Sequence, residues 1–448
     1  WDCDSLWRVC GGGVVMTDKV RYLKADRSQL RWDMVDLESQ LPLDHRARVV
    51  WAFVESLDLS ALYAGIKARA HEAGRPPADP AILLALWLYA TLEGVGSARA
   101  LDRMCVGDTA CRWLCGGVPM NYHGLSDFRV AHGAVLDRLL SESLAALMAE
   151  GVVTLAEVAV DGTKLRASAG RGSYRKAAGL AAYEQVAGER VARLRAELDG
   201  DPGASERRRR AAGERAGREA LERAAAARRS LERLRREKAE RARSHAKDEE
   251  KKAEPKASTT DPEARFMKFA DGAIRPGYNL LLAAAPDNGL IFGVEVSDRR
   301  NDAGLAVPMV EQLESRYDEP PGRLLLDSTI ATQDDIVTLA TRCEAAVEVY
   351  SPTPDERDDV SPAWKRKRER KRHREPPALQ DWRARMASAQ GQETYRRRKR
   401  IETVNGNLKN RGLGQLPVRG IAKVRCIALL HALAHNLWRA HTLRLADA

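Results

Sequence analysis

The sequence predicts an α/β fold that is preceded by an all-helical region and interrupted by a charged helical insertion. Apolar residues recur at helical spacing across residues 33–151, whereas residues 152–440 alternate short apolar strands with helical stretches. Within the second region, Arg, Ala, Glu and Lys dominate residues 180–257. The chain has 448 residues and 44% of them are hydrophobic, which is enough for two or three domains. We therefore expect an all-α N-terminal domain over 33–151 and an α/β domain over 152–440 that carries the insertion.

The chain has an excess of positive charge. Its 74 Lys and Arg residues outnumber its 63 Asp and Glu residues, so the formal net charge is +11. Such a protein is suited to bind a polyanion, with nucleic acid as the first candidate and an anionic membrane surface as the second. The richest apolar runs, 81–89 and 280–285, are too short to span a bilayer, and no secretory signal pattern is present. We therefore expect neither membrane insertion nor secretion.

The cysteines and histidines do not form a metal-binding pattern. Seven cysteines are scattered along the chain, and the pair Cys111 and Cys115 lacks a matching second pair. We therefore expect reduced, structural thiols and not a zinc site. His431 and His435 lie one helical turn apart, without an acid in the arrangement of a zinc protease, so we expect them in a core or an interface.

Several helices are predicted in the N-terminal region. Asp44 is a plausible N-cap for the first, and Leu136, Leu140 and Leu144 lie at four-residue steps on the last. Small helical units suit DNA binding but also many other roles, so the fold alone decides no function. Residues 1–15 precede the first methionine, and we interpret them as an upstream or non-native segment. The predicted helices are 44–59, 81–92, 98–105 and 127–149.

The insertion has the pattern of an antiparallel helical hairpin. A Gly- and Pro-containing break at 200–203 divides it into two arms, and small or apolar residues recur in the second arm at steps of three and four. We favour a solvated charged hairpin, with an arm that grasps DNA or forms a dimer as the alternative. The residues of the predicted seam are Ala220, Ala224, Ala227, Leu231 and Leu234.

The α/β region contains a β-hairpin signal and several short strands. Asn288 and Gly289 lie between two apolar runs, 278–285 and 290–296, which is the pattern of a tight hairpin turn. Eight of the ten residues 365–374 are Lys or Arg, and we expect a basic loop over 358–378 because such a block is too highly charged to pack. The other predicted elements are strands at 155–160, 323–326 and 345–350, helices at 302–317 and 334–343, and a helical segment over 394–443 with a turn around 412–414.

Three acids are candidates for catalysis. Asp161 and Asp327 each follow a short apolar strand, and the carboxyl ends of strands are where ligands gather in α/β folds, although a lone Asp there is more often a cap or turn residue. The third candidate is Glu402, which lies between Arg398 and Lys409. Steps of three, four and seven residues place Tyr395 and these three side chains on one helical face. A surface Arg–Glu pair explains two of the four residues but not the tyrosine or the lysine.

These motifs resemble those of bacterial insertion-sequence transposases of the DDE type. The Tyr-x2-Arg-x3-Glu-x6-Lys pattern resembles the signature around the third acid of that family, VAVDGTKLRASA resembles its first-acid motif and LLLDSTIATQDDI its second. The segments GRPPADPAILLALWLYA and LSDFR resemble its N-terminal domain, and the likeness extends from about residue 36 to 440. The sequence departs from the family after Asp327, where Ser328, Thr329 and Ile330 replace the usual Gly and aromatic residue.

The resemblance implies an RNase H-like fold, a mixed sheet with Asp161 on its first strand and Asp327 on its fourth. Glu402 would lie on a helix that packs against the sheet. The three acids would hold two Mg²⁺ ions, with Mn²⁺ as a substitute, because paired divalent ions stabilise both the attacking and the leaving oxygen of a phosphodiester. Tyr395, Arg398 and Lys409 would contact DNA near the cleaved phosphate.

The resemblance also implies the function and the partners. The expected protein is a bacterial DNA transposase that binds the ends of its element, cleaves DNA and transfers strands, as a homodimer or larger oligomer on DNA. Its expected location is the cytoplasm, at the nucleoid. Two alternatives remain: a DNA-binding relic that has lost catalysis, and a metal-dependent nuclease of the same fold.

Overall fold

A computed structural model describes residues 36–66, 76–199, 204–244, 254–342, 346–353, 372 and 374–447. The predicted segment 1–15 and most of the predicted basic loop 358–378 lie outside these residues, and the predicted end of the loop is wrong, because a helix already begins at Pro377. In the described ranges, no helix combines the length and the apolar character needed to cross a membrane.

The N-terminal region is helical, as predicted, but several of its helix boundaries differ from the prediction. The first helix begins at Arg46, and the imidazole of His45, not Asp44, caps it by accepting a hydrogen bond from the Ala47 N–H. The predicted helix 127–149 is two helices, because the backbone leaves helical geometry at His132. The helices are α1 (Arg46–Glu55), α2 (Ser60–Ala64), α3 (Pro80–Leu92), α4 (Ala98–Gly107), α5 (Thr109–Cys115), α6 (Tyr122–Ala131) and α7 (Gly133–Ala149).

Helix α3 forms the centre of this region. Asp79 caps it, Pro80 occupies its first position, and nearly all of its side chains are buried. The Trp87 indole N–H donates to the Leu125 carbonyl of α6 at 2.9 Å, and the guanidinium of Arg129 lies over the same ring. A helix that is apolar on all sides must be enclosed by other elements. Helices α1, α5 and α6 and the C-terminal helix pack around it.

The α/β region is built on a mixed sheet. Strand β1 lies at its centre, antiparallel to β5 on one side and parallel to β7 on the other, and β8 extends the sheet beyond β7. Strands β4 and β6 pair with successive parts of the outer edge of β5. The strands are β1 (Glu157–Arg166), β4 (Arg265–Lys268), β5 (Ile274–Ala284), β6 (Ile291–Ser297), β7 (Arg323–Leu326) and β8 (Glu348–Tyr350), and a separate short pair consists of β2 (Tyr174–Arg175) and β3 (Ala257–Ser258).

Helices cover both faces of this sheet, which confirms the predicted α/β class. Every residue from 278 to 285 in and after β5 is buried, so side chains of both orientations are enclosed. The predicted hairpin turn is present, and Gly289 has a φ of +78°. The helices are α10 (Ala306–Tyr317), α11 (Gln333–Ala340), α12 (Pro377–Ala387), α13 (Ala389–Arg396), α14 (Lys399–Asn410) and α15 (Ile421–Asp447).

Two long helices occupy the sequence between β2 and β3: α8 (Ala177–Asp199) and α9 (Ala204–Ser244). They are antiparallel, since Arg195 pairs with Glu214 while Glu184 reaches Arg228. Three residues of the predicted seam are buried and the other two are half-buried. A bidentate ion pair at 2.8 Å, from Arg265 of β4 to Glu237, attaches α9 to the edge of the sheet.

The C-terminal helix connects the two regions. Helix α15 packs against α3 and α7 on one side and against β6 on the other. His431 and His435 are buried in it, which confirms their predicted core position, and the His435 Nε2–H donates to the Gly289 carbonyl at 3.0 Å. Burial lowers the pKa of His431 to about 3 and that of His435 to about 4.

These histidines make stability depend on pH. Both are neutral in the folded protein, whereas the unfolded chain binds protons below the ordinary pKa of 6.5. The free energy of unfolding should therefore fall as pH drops from about 6.5 towards 4, by about 1.4 kcal/mol per pH unit for each histidine. Urea denaturation of the wild type and of His431→Leu between pH 7 and 4.5 measures this dependence. The slope of the unfolding free energy against pH should be smaller in the variant by the contribution of one histidine, about 1.4 kcal/mol per pH unit. Equal slopes would contradict the assignment.

Candidate active site

The register of the central strands brings Asp161 and Asp327 together. Val160 of β1 lies opposite Leu326 of β7 in a parallel pair, and the next residue of each chain is an aspartate. The prediction that both acids follow strands holds for Asp327 only. Asp161 lies inside the ten-residue β1, because β1 continues to pair with β5 up to Arg166 after its pairing with β7 has ended.

The turn after Asp327 is well formed despite its departure from the family pattern. The Asp327 side chain accepts hydrogen bonds from the Ser328 hydroxyl and the Thr329 N–H, both at 3.1 Å. The backbone carbonyl of Asp327 accepts a hydrogen bond from the Ile330 N–H, and the Ile330 side chain is buried in the core. The short polar side chains thus stabilise the turn in the way that Asp residues commonly do.

The predicted continuous helix that carries Glu402 is in fact two helices. Helix α13 ends at Arg396 and α14 begins at Lys399, and the two residues between them form a tight turn with hydrogen bonds of the i to i−3 type. The predicted single stripe of four side chains is therefore interrupted at Arg397 and Arg398.

The two arginines of this turn point to different partners. Arg397 pairs with Glu157 at the beginning of β1, at 3.0 Å, and with Asp287 in the β5–β6 turn. Arg398 pairs with Asp161 further along β1. The turn is thereby attached to β1 at two points, and it holds the start of α14 beside the strand.

Arg398 forms ion pairs with all three candidate acids. We call Asp161, Asp327 and Glu402 the acid cluster. The Nη2 of Arg398 lies 2.7 Å from Oδ1 of Asp161 and 3.6 Å from Oδ2 of Asp327. Its Nη1 lies 3.3 Å from Oε1 of Glu402. The Arg398 side chain is only 9% exposed, whereas exposure of the acids increases from 18% for Asp161 through 41% for Asp327 to 62% for Glu402. The cluster therefore opens to solvent on the side of Asp327 and Glu402.

Asn405 is part of the site, although its role was not predicted. It lies almost one helical turn after Glu402, and its Nδ2 donates to Oδ2 of Asp161 at 2.8 Å. Burial raises the pKa of the Asp161 carboxyl, while the charge of Arg398 and the hydrogen bond from Asn405 act in the opposite direction. The only sequence signal for this residue is its position close to Glu402 on the same helix.

The other two predicted site residues, Tyr395 and Lys409, differ in how close they lie to the acid cluster. Tyr395 is half-buried, and the pKa of its hydroxyl is raised by burial and by the charge of Asp327, with Arg398 opposing, so it lies close to the cluster. Lys409 is exposed, two helical turns beyond Glu402. Within the described ranges, its side chain makes no ion pair with the three acids.

A second polar group lies beside the cluster and was not predicted. The Lys164 Nζ contacts Oδ1 of Asn279 at 2.7 Å and Oδ1 of Asp302 at 3.0 Å. The Asp302 carboxylate packs directly over the backbone of Gly162, where an added Cβ would lie 2.3 Å from its Oδ2. The sequence signals for this group, single polar residues within strands, are too common to be specific.

The donor chemistry of the acid cluster fits a hard divalent cation. All three side chains are carboxylates from separate elements, and they already converge on one positive charge. At the same time, no three His, Cys, Asp or Glu side chains of the described residues are close enough to hold a metal ion. The guanidinium of Arg398 lies where the three acids converge.

Comparison with known proteins identifies two family matches. Residues 241–437 match the model of a transposase DDE domain, and residues 35–131 match the model of a further transposase domain. The first match includes Asp327 and Glu402, whereas Asp161 precedes it. No curated protein and no solved structure matches the chain.

The contact of the Asp302 carboxylate with Gly162 predicts that a methyl group at position 162 destabilises the fold. Gly162→Ala should lower the free energy of unfolding by about 1–3 kcal/mol, because the methyl must displace a carboxylate that Lys164 and Asn279 hold. Gly170→Ala is the matched control, since nothing lies within 4 Å of a Cβ there. In Gly162→Ala combined with Asp302→Ala the two effects should not add. Additive effects in urea denaturation would refute the contact.

Proposed function

The chain belongs to the insertion-sequence DDE transposases, and from this premise we propose that it cleaves and joins DNA at the ends of its own element. The observation that carries the proposal is the convergence of Asp161, Asp327 and Glu402 on one cation. These acids come from a strand, a turn and a helix that are far apart in sequence. Carboxylates that meet from separate elements are the ligand type that divalent ions of a two-metal phosphoryl-transfer site need.

We further propose that the α/β region is RNase H-like. The mixed sheet with Asp161 on its first strand supports this, as does helix α14, which carries Glu402 and packs against β1 and β5. Asp327 directly follows the fifth strand of the sheet in chain order, where the resemblance implies the fourth, because the short edge strand β4 precedes the β5–β6 hairpin.

In the proposed reaction, the acids hold divalent metal and the neighbouring residues position them. Asp161, Asp327 and Glu402 would be the ligands, and bound Mg²⁺, or Mn²⁺ in its place, would stabilise the attacking and leaving oxygens of the phosphodiester. Asn405 fixes the orientation of the Asp161 carboxylate through its hydrogen bond. The exposed side of the cluster, at Asp327 and Glu402, is where the DNA strand would enter.

The DNA contacts that we propose are graded by distance from the acids. Arg398 and Tyr395 lie at the cluster, so they would contact the phosphate that reacts. Lys409 lies further along α14 and would contact the DNA backbone away from the cut. The basic block 365–374 would add backbone affinity that depends strongly on salt.

The remaining assignments follow from the proposed activity. We propose that residues 33–151 recognise the element ends, that residues 152–440 form the catalytic domain, and that 180–257 is an insertion in it. The two ends of the element must be brought together for transposition, so we propose a dimer or larger assembly on DNA. DNA as substrate would keep the protein at the nucleoid of a bacterial cytoplasm.

Glu402→Gln tests the proposal directly. The substitution removes a carboxylate charge and nearly preserves shape, so we expect Mg²⁺-dependent cleavage of a duplex carrying the element's own ends to fall about a hundredfold or more. DNA binding, measured by gel shift, should be unchanged. Glu393→Gln is the matched control, because this exposed acid of α13 pairs only with Arg396 among the described residues.

The other outcomes separate the alternatives. If wild type and variant both bind DNA and neither cuts, the chain is a DNA-binding relic. If the wild type cuts but does not join the released end to a target duplex, it is a nuclease of the same fold. If Glu402→Gln cuts as fast as the wild type, Glu402 is not the third acid.

A further inference from the structure

We infer that Arg398 is the resident counter-cation of the acid cluster in the absence of DNA, and that it must leave the acids before divalent metal can bind. Within the described ranges, Arg398 is the only Lys or Arg side chain that forms an ion pair with any of the three acids. The inference rests on the proposed function, because it takes Asp161, Asp327 and Glu402 to be metal ligands.

The Arg398 guanidinium and a metal ion would compete for the same carboxylate oxygens. The Nη2 of Arg398 serves both Asp161 and Asp327, and its Nη1 serves Glu402, so the guanidinium stands between the three carboxylates. A hard divalent ion needs direct contact with such oxygens at about 2.0–2.6 Å. Metal at this place would put two further positive charges beside the guanidinium in a partly desolvated site, where repulsion is strong.

The polar contacts of the guanidinium among the described residues all go to the acids. The Arg398 side chain is only 9% exposed, and its Nε is buried without a hydrogen-bond partner among the described residues. Its polar attachment therefore comes from the acids, and neutralising them removes the electrostatic part of what holds it there. The neighbouring Arg397 differs, since its partners Glu157 and Asp287 lie outside the cluster.

DNA would offer the released Arg398 side chain a new partner. The cluster opens to solvent at Asp327 and Glu402, the side from which a DNA strand would enter. A phosphate offers the guanidinium two acceptor oxygens in a geometry similar to a carboxylate. DNA would draw Arg398 away from the acids and metal would push it away, so the two ligands should favour each other's binding. The consequence is a site that acquires metal poorly until DNA is present.

The test measures Mn²⁺ binding by the full chain without DNA, using electron paramagnetic resonance of free Mn²⁺. Arg398→Met, which preserves the aliphatic stem and removes the charge, should bind Mn²⁺ about tenfold more tightly than the wild type or better. Arg396→Met is the matched control for the loss of one positive charge nearby. This exposed arginine pairs with Glu393, outside the cluster, and its variant should bind Mn²⁺ as the wild type does.

A second variant covers the case in which Arg398→Met does not fold. Arg398→Lys keeps the charge, but one ammonium cannot bridge three carboxylates as a planar guanidinium does, so its Mn²⁺ affinity should lie above that of the wild type. Circular dichroism and the thermal midpoint report folding, and the rise of the midpoint with Mn²⁺ should be larger in both variants than in the wild type.

The outcomes distinguish failure of this inference from failure of the proposed function. If Asp161→Asn weakens Mn²⁺ binding but the folded Arg398 variants bind like the wild type, the acid site stands and the inference is overturned. If Asp161→Asn added to a folded Arg398→Met variant leaves its Mn²⁺ affinity unchanged, the acid cluster is not the metal site, and the proposed function is overturned with it. Tighter binding in Arg396→Met as well would reduce the effect to overall charge and would also overturn the inference.

Discussion

The parallel pairing of β1 with β7 is the constraint on which the candidate site depends. Val160 lies opposite Leu326, so the two following aspartates stand on neighbouring strand positions, where backbones are about 4.8 Å apart. Two carboxylates at this separation repel each other, and the partial burial of Asp161 increases the cost. A positive charge between them offsets this repulsion, and the Arg398 guanidinium supplies it.

The position of that charge depends in turn on a break in a helix. An uninterrupted helix through residues 389–410 would place consecutive side chains about 100° apart, whereas the tight turn at Arg397 and Arg398 directs one guanidinium to Glu157 and the other to Asp161. Both contacts lie on the same strand. The turn therefore positions Glu402 and Asn405 at the beginning of α14 relative to β1, and the ion pairs that fix it involve largely buried partners.

The sequence predicted the elements of this site better than it predicted their contacts. The strand before Asp327, the β5–β6 hairpin and the helices on either side of the sheet were predicted, because apolar periodicity and turn residues are local signals. The extension of β1 beyond Asp161 was not predicted, because it depends on pairing with β5, whose residues lie more than a hundred positions later in the chain. The break at Arg397 was missed because arginine has good helix propensity.

By itself, the sequence determined the α/β class, the charged helical pair, the three candidate acids and, through their motifs, the family, all of which are encoded in short stretches of residue types and spacings. Only the tertiary structure decided that Arg398 stands between the acids, that Asn405 orients Asp161 and that Lys409 lies apart from them. The physical reason is that electrostatic pairing acts between side chains brought together by strand register and helix packing. Neither the strand register nor the helix packing produces a periodic pattern in the sequence from which these pairs could be predicted.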